Sequence, residues 1–385
     1  MKKGLGVYVH VPFCIRKCKY CDFLSAPASD EVMEQYVQGI LVQMESFAKT
    51  DGFQKNDYEV LTVFFGGGTP SILSVHQIEL ILTQIRRSFF CRKDMEVTLE
   101  ANPGTLTREK LRGFYQTGVN RLSLGLQSTD NQMLKVLGRI HTYETFLENY
   151  QMAGEAGFQN INIDLMSGLP GQTLKQWEES LKKVCRLDPR HISAYSLIIE
   201  PGTVFYEMYD KHREALPDEE TERKMYERTK EILDGYGYRR YEISNYSKPG
   251  FACRHNEGYW KREDYVGFGT GAASLLMDTR YSQRQELSYF LEHPDWTENI
   301  AQQEKLSDIA RMEETMFLGL RRMEGVSREY FLEQFGKNME EVYGDVIKKY
   351  RKLGLLKEEN GKIALTEEGI SVSNIIFSDF LISEY

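Results

Sequence analysis

The sequence has no run approaching the roughly 20 consecutive apolar residues that span a bilayer. Its start, "MKKGLGVYVHVPF", lacks the apolar stretch and small-residue cleavage site of a secretory signal. A mature cytoplasmic protein is expected, one that visits a membrane only through a partner or a weak surface contact. Excess positive charge is also missing: 48 Lys and Arg stand against 57 Asp and Glu, a formal net charge of -9. That balance argues against a general surface for nucleic acid or anionic lipid, because phosphate binding needs clustered cations. Cysteine is scarce, with six in 385 residues and three of these clustered. Such usage does not build a disulfide framework, and a reducing compartment would leave the clustered thiols free for metal. Low-complexity tracts and solenoid repeats are absent, and 41% hydrophobic with 27% charged residues is an ordinary globular composition. The length predicts one large domain with an appended small module.

What is present is a regular alternation. The β-rich runs "GLGVYVHVPF", "EVLTVFFGGG", "MEVTLEANPG", "VNRLSLGLQS", "NINIDLMSGLP" and "HISAYSLIIEPGT" are separated by amphipathic segments at 30–49, 74–89, 107–117, 142–156 and 173–186. Strand then helix, repeated about six times, predicts a parallel sheet with right-handed crossovers, a closed or partly closed β/α barrel. Within three strands one face is aliphatic (Val97, Leu99, Ala101; Leu122, Leu124, Leu126; Ile161, Ile163, Leu165) and the other polar (Thr98, Glu100; Ser123, Gly125, Gln127; Asn160, Asn162, Asp164). Alternation of this kind also describes an antiparallel sheet wetted on one side. The intervening helices favour the barrel: they cover the aliphatic face, so the polar side chains point into the lumen and require partners or a ligand there. The first strand follows suit, with Tyr8 and His10 opposite Val7, Val9 and Val11. Glu100, Gln127 and Asp164 fall at the carboxyl ends of their strands, where β/α barrels place their sites.

Another helix is expected over 218–236, after which 241–300 reads as a connecting segment packed on a barrel of residues 1–240. From about 301 the pattern becomes helix, helix, helix and then the hairpin-like "ENGKIALTEEG", the outline of a winged-helix-like domain over 301–385. It lacks a dense basic face, so packing or protein contact is expected of it, not nucleic-acid reading.

"HVPFCIRKCKYCDF" places Cys14, Cys18 and Cys21 in a C-x3-C-x2-C loop directly after the first strand. Zinc knuckles complete four ligands with a second cysteine pair or histidines, and no partner pair is visible here. Three thiolates also suit a [4Fe-4S] cluster and leave one iron open for a small molecule. Spacing alone leaves cluster, zinc and coincidence all standing. Arg16, Lys17 and Lys19 interleave with the thiols and would favour their thiolate forms.

The loop, with Tyr20 before its last cysteine, resembles the signature of radical S-adenosylmethionine (SAM) enzymes, and "VFFGGGTPS" resembles their glycine-rich strand end. In that superfamily the open iron binds SAM, whose reductive cleavage yields a 5'-deoxyadenosyl radical. "GVYVHVPFC", "GGGTPS", "LEANPG", "SLGLQS", "LGRIH", "IDLMSGLPGQT" and "YEISNYSKPGFACRHNEGYW" are similar, in order, to the oxygen-independent coproporphyrinogen oxidase group, and within it to the HemW-type heme chaperones. The resemblance implies a SAM site lined by Tyr8, Tyr20, Gly67, Gly68, Thr69, Glu100, Gln127, Arg139, Asp164 and Ala194, with Ala273 a looser match. It also implies a heme element at His255, Asn256, Tyr259 and Trp260, in which the imidazole would ligate iron; Cys253 is an alternative ligand. Cys91 and Cys185 are assigned no chemistry.

One absence then carries weight. The decarboxylating oxidases of the group commonly have a further cysteine two residues after the third cluster cysteine, and this chain has Phe23. A phenyl ring neither ligates iron nor donates a hydrogen bond. The resemblance therefore implies a heme chaperone holding a [4Fe-4S] cluster, SAM and heme. Such a protein would be reduced by a flavodoxin or ferredoxin and would hand heme to acceptors such as membrane-associated respiratory enzymes. Oxidative decarboxylation of coproporphyrinogen III is the competing reading, and a zinc-stabilised barrel a third.

Overall fold

The computed structural model describes residues 2–50, 53 and 55–382. Strand β1 (Lys3–Val11) leads through the cysteine loop to helix α1 (Asp30–Phe47), β2 (Tyr58–Gly67), α2 (Val75–Ser88), β3 (Cys91–Ala101) and α3 (Arg108–Thr117). The alternation continues through β4 (Arg121–Gln127), α4 (Asn131–Leu137), α5 (Tyr143–Ala156), β5 (Asn160–Ser167), α6 (Leu174–Cys185) and β6 (His191–Ser196). Helix starts follow local chemistry. Ser74 and Thr173 close capping boxes with Gln77 and Gln176, satisfying first-turn N–H groups that have no partner within the helix.

Strands β1 to β6 pair in parallel and in chain order. Leu122, Leu124, Leu126, Ile163 and Leu165 are fully buried under the helices, so the aliphatic face is outside and the polar face lines the lumen, as the alternation requires. The barrel does not close. After α7 (Val204–Tyr209) and α8 (Glu219–Gly235) come β7 (Arg239–Glu242) and β8 (Asn245–Ser247); β8 pairs antiparallel with β6, and β7 pairs antiparallel with β8. Beyond α9 (Arg254–Trp260), β9 (Tyr265–Phe268) joins the free edge of β1 in parallel. Strands β10 (Ala273–Leu276), β11 (Thr279–Gln283) and, after α10 (Leu287–Glu292), β12 (Ile300–Lys305) extend that edge antiparallel. The stretch expected to connect two domains thus supplies most of both flanks of a 12-stranded sheet. Its strands are three to six residues long, too short for an alternation pattern to show.

A second hydrophobic core gathers α11 (Asp308–Gly319), β13 (Val326–Ser327), α12 (Arg328–Phe335), α13 (Met339–Lys352), β14 (Leu356–Glu359), β15 (Lys362–Leu365), α14 (Glu367–Ser371) and α15 (Ser373–Asp379). Three helices and a β14–β15 hairpin give the winged-helix-like outline, with β13 as a third strand. Tyr226 and Ile243 from the large sheet unit pack on this core. Charged contacts add to the seam: Arg262 pairs with Glu314 at 2.8 Å and with Asp278 at 3.3 Å, and Arg311 pairs with Asp278 at 3.1 Å.

Helices α6 and α8 meet over Trp177, which is 1% exposed and donates its indole N–H to the Thr229 hydroxyl at 2.9 Å. Trp177→Ala should lower unfolding stability by about 3–5 kcal/mol, the cost of a large cavity, read as a lower urea midpoint with circular dichroism.

Candidate functional site

The cysteine loop is held by main-chain bonds to distant segments. Cys14 N–H donates to the Ala26 carbonyl at 3.1 Å, Lys19 N–H to Leu137 at 3.1 Å, and Phe205 N–H to the Lys19 carbonyl at 2.9 Å. Arg16 reaches across to the Gly138 carbonyl at 2.8 Å. The Cys14 thiol lies 3.2 Å from the Thr69 hydroxyl, and Arg139 donates to Cys18 Sγ at 3.5 Å. Burial pushes the Cys21 thiol up to about 11, the nearby Cys18 and Cys14 sulfurs add to the rise, and Lys17 opposes it. Among the described residues no three His, Cys, Asp or Glu side chains converge tightly enough to hold a single metal ion. The thiols instead share the wall of one cavity of about 310 Å³. A donor set of three thiols spread around a cavity, with Arg139 beside them, fits a multi-iron cluster in which each thiolate takes its own iron, and fits a tetrahedral zinc ion poorly.

The glycine-rich strand end packs on the loop from below. Gly67 has φ +107°, and a Cβ there would stand 2.4 Å from the His10 ring; a Cβ on Gly68 would stand 2.6 Å from the Phe13 carbonyl oxygen. Gly68 and Thr69 donate their N–H groups to the Val11 and Phe13 carbonyls at 2.8 Å each. Glycine is required here first by the protein's own close packing, which sets the height of the cysteine loop over β2.

The lumen supplies the rest of the cavity wall. Tyr20, Gly67, Gly68, Thr69, Glu100, Gln127, Arg139 and Asp164 all line it together with the three cysteines. Burial raises the Glu100 carboxyl to about 8, and the negative charge of Asp164 pushes the same way. Asp164 is raised by burial too, although Asn162 donates to it at 2.7 Å and Ser123 at 3.1 Å. Gln127 sits at a register shift of β4 with φ +69°, and accepts from the Tyr195 hydroxyl at 3.2 Å. Tyr8 and Ala194 are placed differently. Tyr8 lies deeper in the lumen, 3.0 Å from His10 Nδ1, and Ala194 pairs with Leu165 on the aliphatic face. Ala273 stands in β10, away from the cavity wall.

The opposite end of the lumen is plugged by α9. Gly6, near the start of β1, pairs with Thr62, five residues or about 16 Å of strand before Val11. The Thr62 hydroxyl is 2.7 Å from His255 Nδ1, and the Tyr259 hydroxyl is 2.9 Å from Nε2, so both imidazole nitrogens have partners. Burial drives the His255 ring down to about 3, helped by the Arg121 charge, and it stacks on Phe64 at 5.1 Å. Glu96 accepts from the Arg254 and His255 N–H groups at 3.3 Å each, a carboxylate against the start of the helix. Asn256 and Trp260 are half-buried, and the Arg321 guanidinium lies 4.4 Å over the Trp260 ring. The Cys253 thiol is pushed up to about 12 by burial, which keeps it protonated.

A hydrogen-bonded column joins the two ends. From Asp164 it runs to Asn162, from Asn162 to His191 Nδ1 at 2.6 Å, from His191 Nε2 to the Tyr241 hydroxyl at 2.8 Å, and from there to the Cys253 N–H at 3.2 Å.

The radical SAM superfamily description matches residues 8–184, and the HemN C-terminal domain matches 306–372. Heme chaperone HemW of Bacillus subtilis (strain 168) is 36% identical over 386 residues, covering 98% of this chain and 99% of that protein. The chain belongs to the HemW family. Heme chaperone HemW of Lactococcus lactis subsp. lactis (strain IL1403) is likewise 36% identical, over 100% of this chain and 99% of the relative. Among solved structures, coproporphyrinogen III oxidase (HemN) of Escherichia coli superposes with a TM-score of 0.84 at 21% identity, covering 99% of this chain and 90% of that one, a likeness of fold. Membership of the radical SAM superfamily implies SAM and an iron–sulfur cluster.

For a HemW-family chain, sequence reasoning passed over two wall residues, Asn102 and Tyr195, and put Ser123 on the lumen face without giving it to the site. Asn102 donates to the Thr69 hydroxyl at 2.7 Å and accepts from Arg139. Ser123 and Tyr195 also face the cavity. Tyr195 could have been found from strand parity, since His191, Ser193 and Tyr195 alternate with Ile192 and Ala194.

Glu100 gives a signed pH effect. Its folded carboxyl titrates near 8, above the ordinary carboxylate range, so between about pH 5 and 8 the folded state binds more protons than the unfolded state and stability falls as pH rises. In ligand-free protein, Glu100→Gln should remove a loss on the order of 3 kcal/mol over that interval. Chemical denaturation at pH 5, 6.5 and 8 measures it; parallel profiles for variant and parent would refute the assignment.

Proposed function

We propose that this protein is a heme chaperone that holds a [4Fe-4S] cluster on Cys14, Cys18 and Cys21, binds SAM in the adjoining cavity, and passes heme to acceptor proteins. The supporting observation is the meeting of three thiols with Glu100, Gln127, Arg139 and Asp164 in one cavity, in a chain alignable end to end with HemW relatives. When bound, the cluster would supply the electron that cleaves SAM. The chain's own residues do the holding. Glu100 and Asp164 offer acceptors for hydroxyl or ammonium groups, and Arg139 offers a planar fork for a carboxylate. Tyr8 would act from below the cavity through His10, and the Ala194 position through its backbone beside Tyr195.

Phe23 stands 60% exposed at the cavity mouth, where it offers no donor or ligand, and this weighs against the oxidase reading. Heme is the cargo. His255, Asn256, Tyr259 and Trp260 are its proposed element, and ligation by His255 requires the imidazole to exchange its Tyr259 or Thr62 bond for iron. Arg16 and Lys17 are exposed on the cysteine loop and suit an acidic electron donor such as flavodoxin or ferredoxin. Among the described residues no helix is long and apolar enough to cross a membrane, so delivery to membrane-associated respiratory enzymes would proceed from the cytoplasm through the acceptor itself.

Anaerobic reconstitution with iron and sulfide, followed by heme titration and a coproporphyrinogen assay with SAM and a reductant, tests the reading. A cluster band near about 400 nm, stoichiometric heme and no vinyl product are expected. Cys18→Ala should lose the band while keeping the fold. Sustained vinyl-product turnover would restore the oxidase.

A further inference from the structure

Two of the three clustered cysteines are joined through side chains that belong to other segments. The Thr69 hydroxyl lies 3.2 Å from Cys14 Sγ, and Asn102 Nδ2 donates to that hydroxyl at 2.7 Å. Asn102 Oδ1 accepts from Arg139, whose Nη1 donates to Cys18 Sγ at 3.5 Å. An arc therefore runs from Cys14 through Thr69, Asn102 and Arg139 to Cys18. Donor chemistry fixes the direction of its hydrogens. A guanidinium can only donate, so the amide turns its oxygen to Arg139 and its nitrogen to Thr69. The amide nitrogen can only donate as well, so the Thr69 oxygen is an acceptor on that side and its single hydrogen is left for Cys14. Both ends of the arc aim a hydrogen at sulfur. Asn102, just past β3, is pinned for this position by its main chain: its N–H donates to the Ser71 hydroxyl at 3.3 Å, and its carbonyl accepts from the Thr105 N–H at 3.1 Å and the Thr105 hydroxyl at 2.7 Å.

Resting on the cluster reading above, we infer that Asn102 is the positioning residue of this arc, orienting Thr69 and Arg139 so that each gives a hydrogen bond to a cluster sulfur and the cluster becomes easier to reduce. A thiolate that accepts a hydrogen bond carries the charge of an added electron more readily, and hydrogen bonds to the sulfurs are among the factors that set cluster potentials. The positive charge of Arg139 acts in the same direction. The arc needs an amide at its centre. Aspartate has acceptors and no donor, so it would draw the Thr69 hydrogen away from Cys14 while still holding Arg139.

The test is a mediated redox titration of the full-length protein, reconstituted anaerobically with iron and sulfide and kept free of SAM and heme, with the cluster midpoint potential read by electron paramagnetic resonance. Thr69→Val should make the cluster about tenfold harder to reduce, a downward shift of about 59 mV for a one-electron couple, the scale of one hydrogen bond to a charged group. Thr69→Ser, which keeps the hydroxyl, should stay within about threefold of the parent. Asn102→Asp adds a charge as well as reversing the hydroxyl, so it is measured in two backgrounds. It should lower the reduction constant about tenfold more in the parent than in Thr69→Val, where no hydroxyl remains to reverse. A purely structural role would change cluster yield without this coupling. Should Asn102→Asp hold no cluster, Asn102→Ala takes its place in the same cycle, with the same sign expected and the same result overturning it. A Thr69→Val potential equal to the parent's, or an equal effect of the Asn102 variant in both backgrounds, would overturn the inference and leave the cluster reading standing. A parent that assembles no iron–sulfur cluster would overturn the two together.

Discussion

A sheet that buries aliphatic side chains outward must put its polar side chains inward, and in this protein that constraint loads the lumen with ionisable groups away from bulk water. Glu96, Arg121, His191 and His255 are all buried, and Asp164 stands close enough for its charge to raise the Glu100 carboxyl. Unpaired, each would cost several kcal/mol. The lumen is therefore organised as partnerships: Asp164 with Ser123 and Asn162, His191 with Asn162 and Tyr241, Glu96 with the start of α9. Thr98 and Arg121 keep an unpartnered atom lower in the lumen, and at the carboxyl ends of the strands Glu100, Gln127 and Asp164 face the cavity.

The two ends of the lumen serve opposite purposes. At the carboxyl ends, Gly67 and Gly68 let the cysteine loop settle directly on the sheet, and the polar residues are left facing space. At the amino ends, α9 satisfies its neighbours so fully that His255 has no free nitrogen. The column from Asp164 to Cys253 N–H connects these ends mechanically, since each member is held by the next.

The C-terminal module is bound to the sheet by charge as well as by apolar packing. Arg262, in the left-handed region at φ +55°, turns the chain after α9 so that its guanidinium bridges Glu314 and Asp278. The same turn leaves Trp260 and Lys261 facing the module. The charged part of the seam thus depends in part on one backbone feature.

Periodicity and spacing were enough to place the six parallel strands, most of their helices, the outward aliphatic face and the trio of thiols, because these are local properties of two- and 3.6-residue repeats and of a loop eight residues long. The polar parity of β3, β4 and β5 likewise brought Glu100, Gln127 and Asp164 to one wall. Tertiary structure alone decided the flanking strands β7 to β12, whose few residues carry no period of their own. It alone decided that His255 spends its imidazole on Thr62, 193 positions away, that Asn102 bridges Thr69 and Arg139, and that Trp260 and Lys362 line one cavity. Those contacts join segments far apart in the chain, and which distant groups meet is set by how layers pack, a quantity no local pattern encodes.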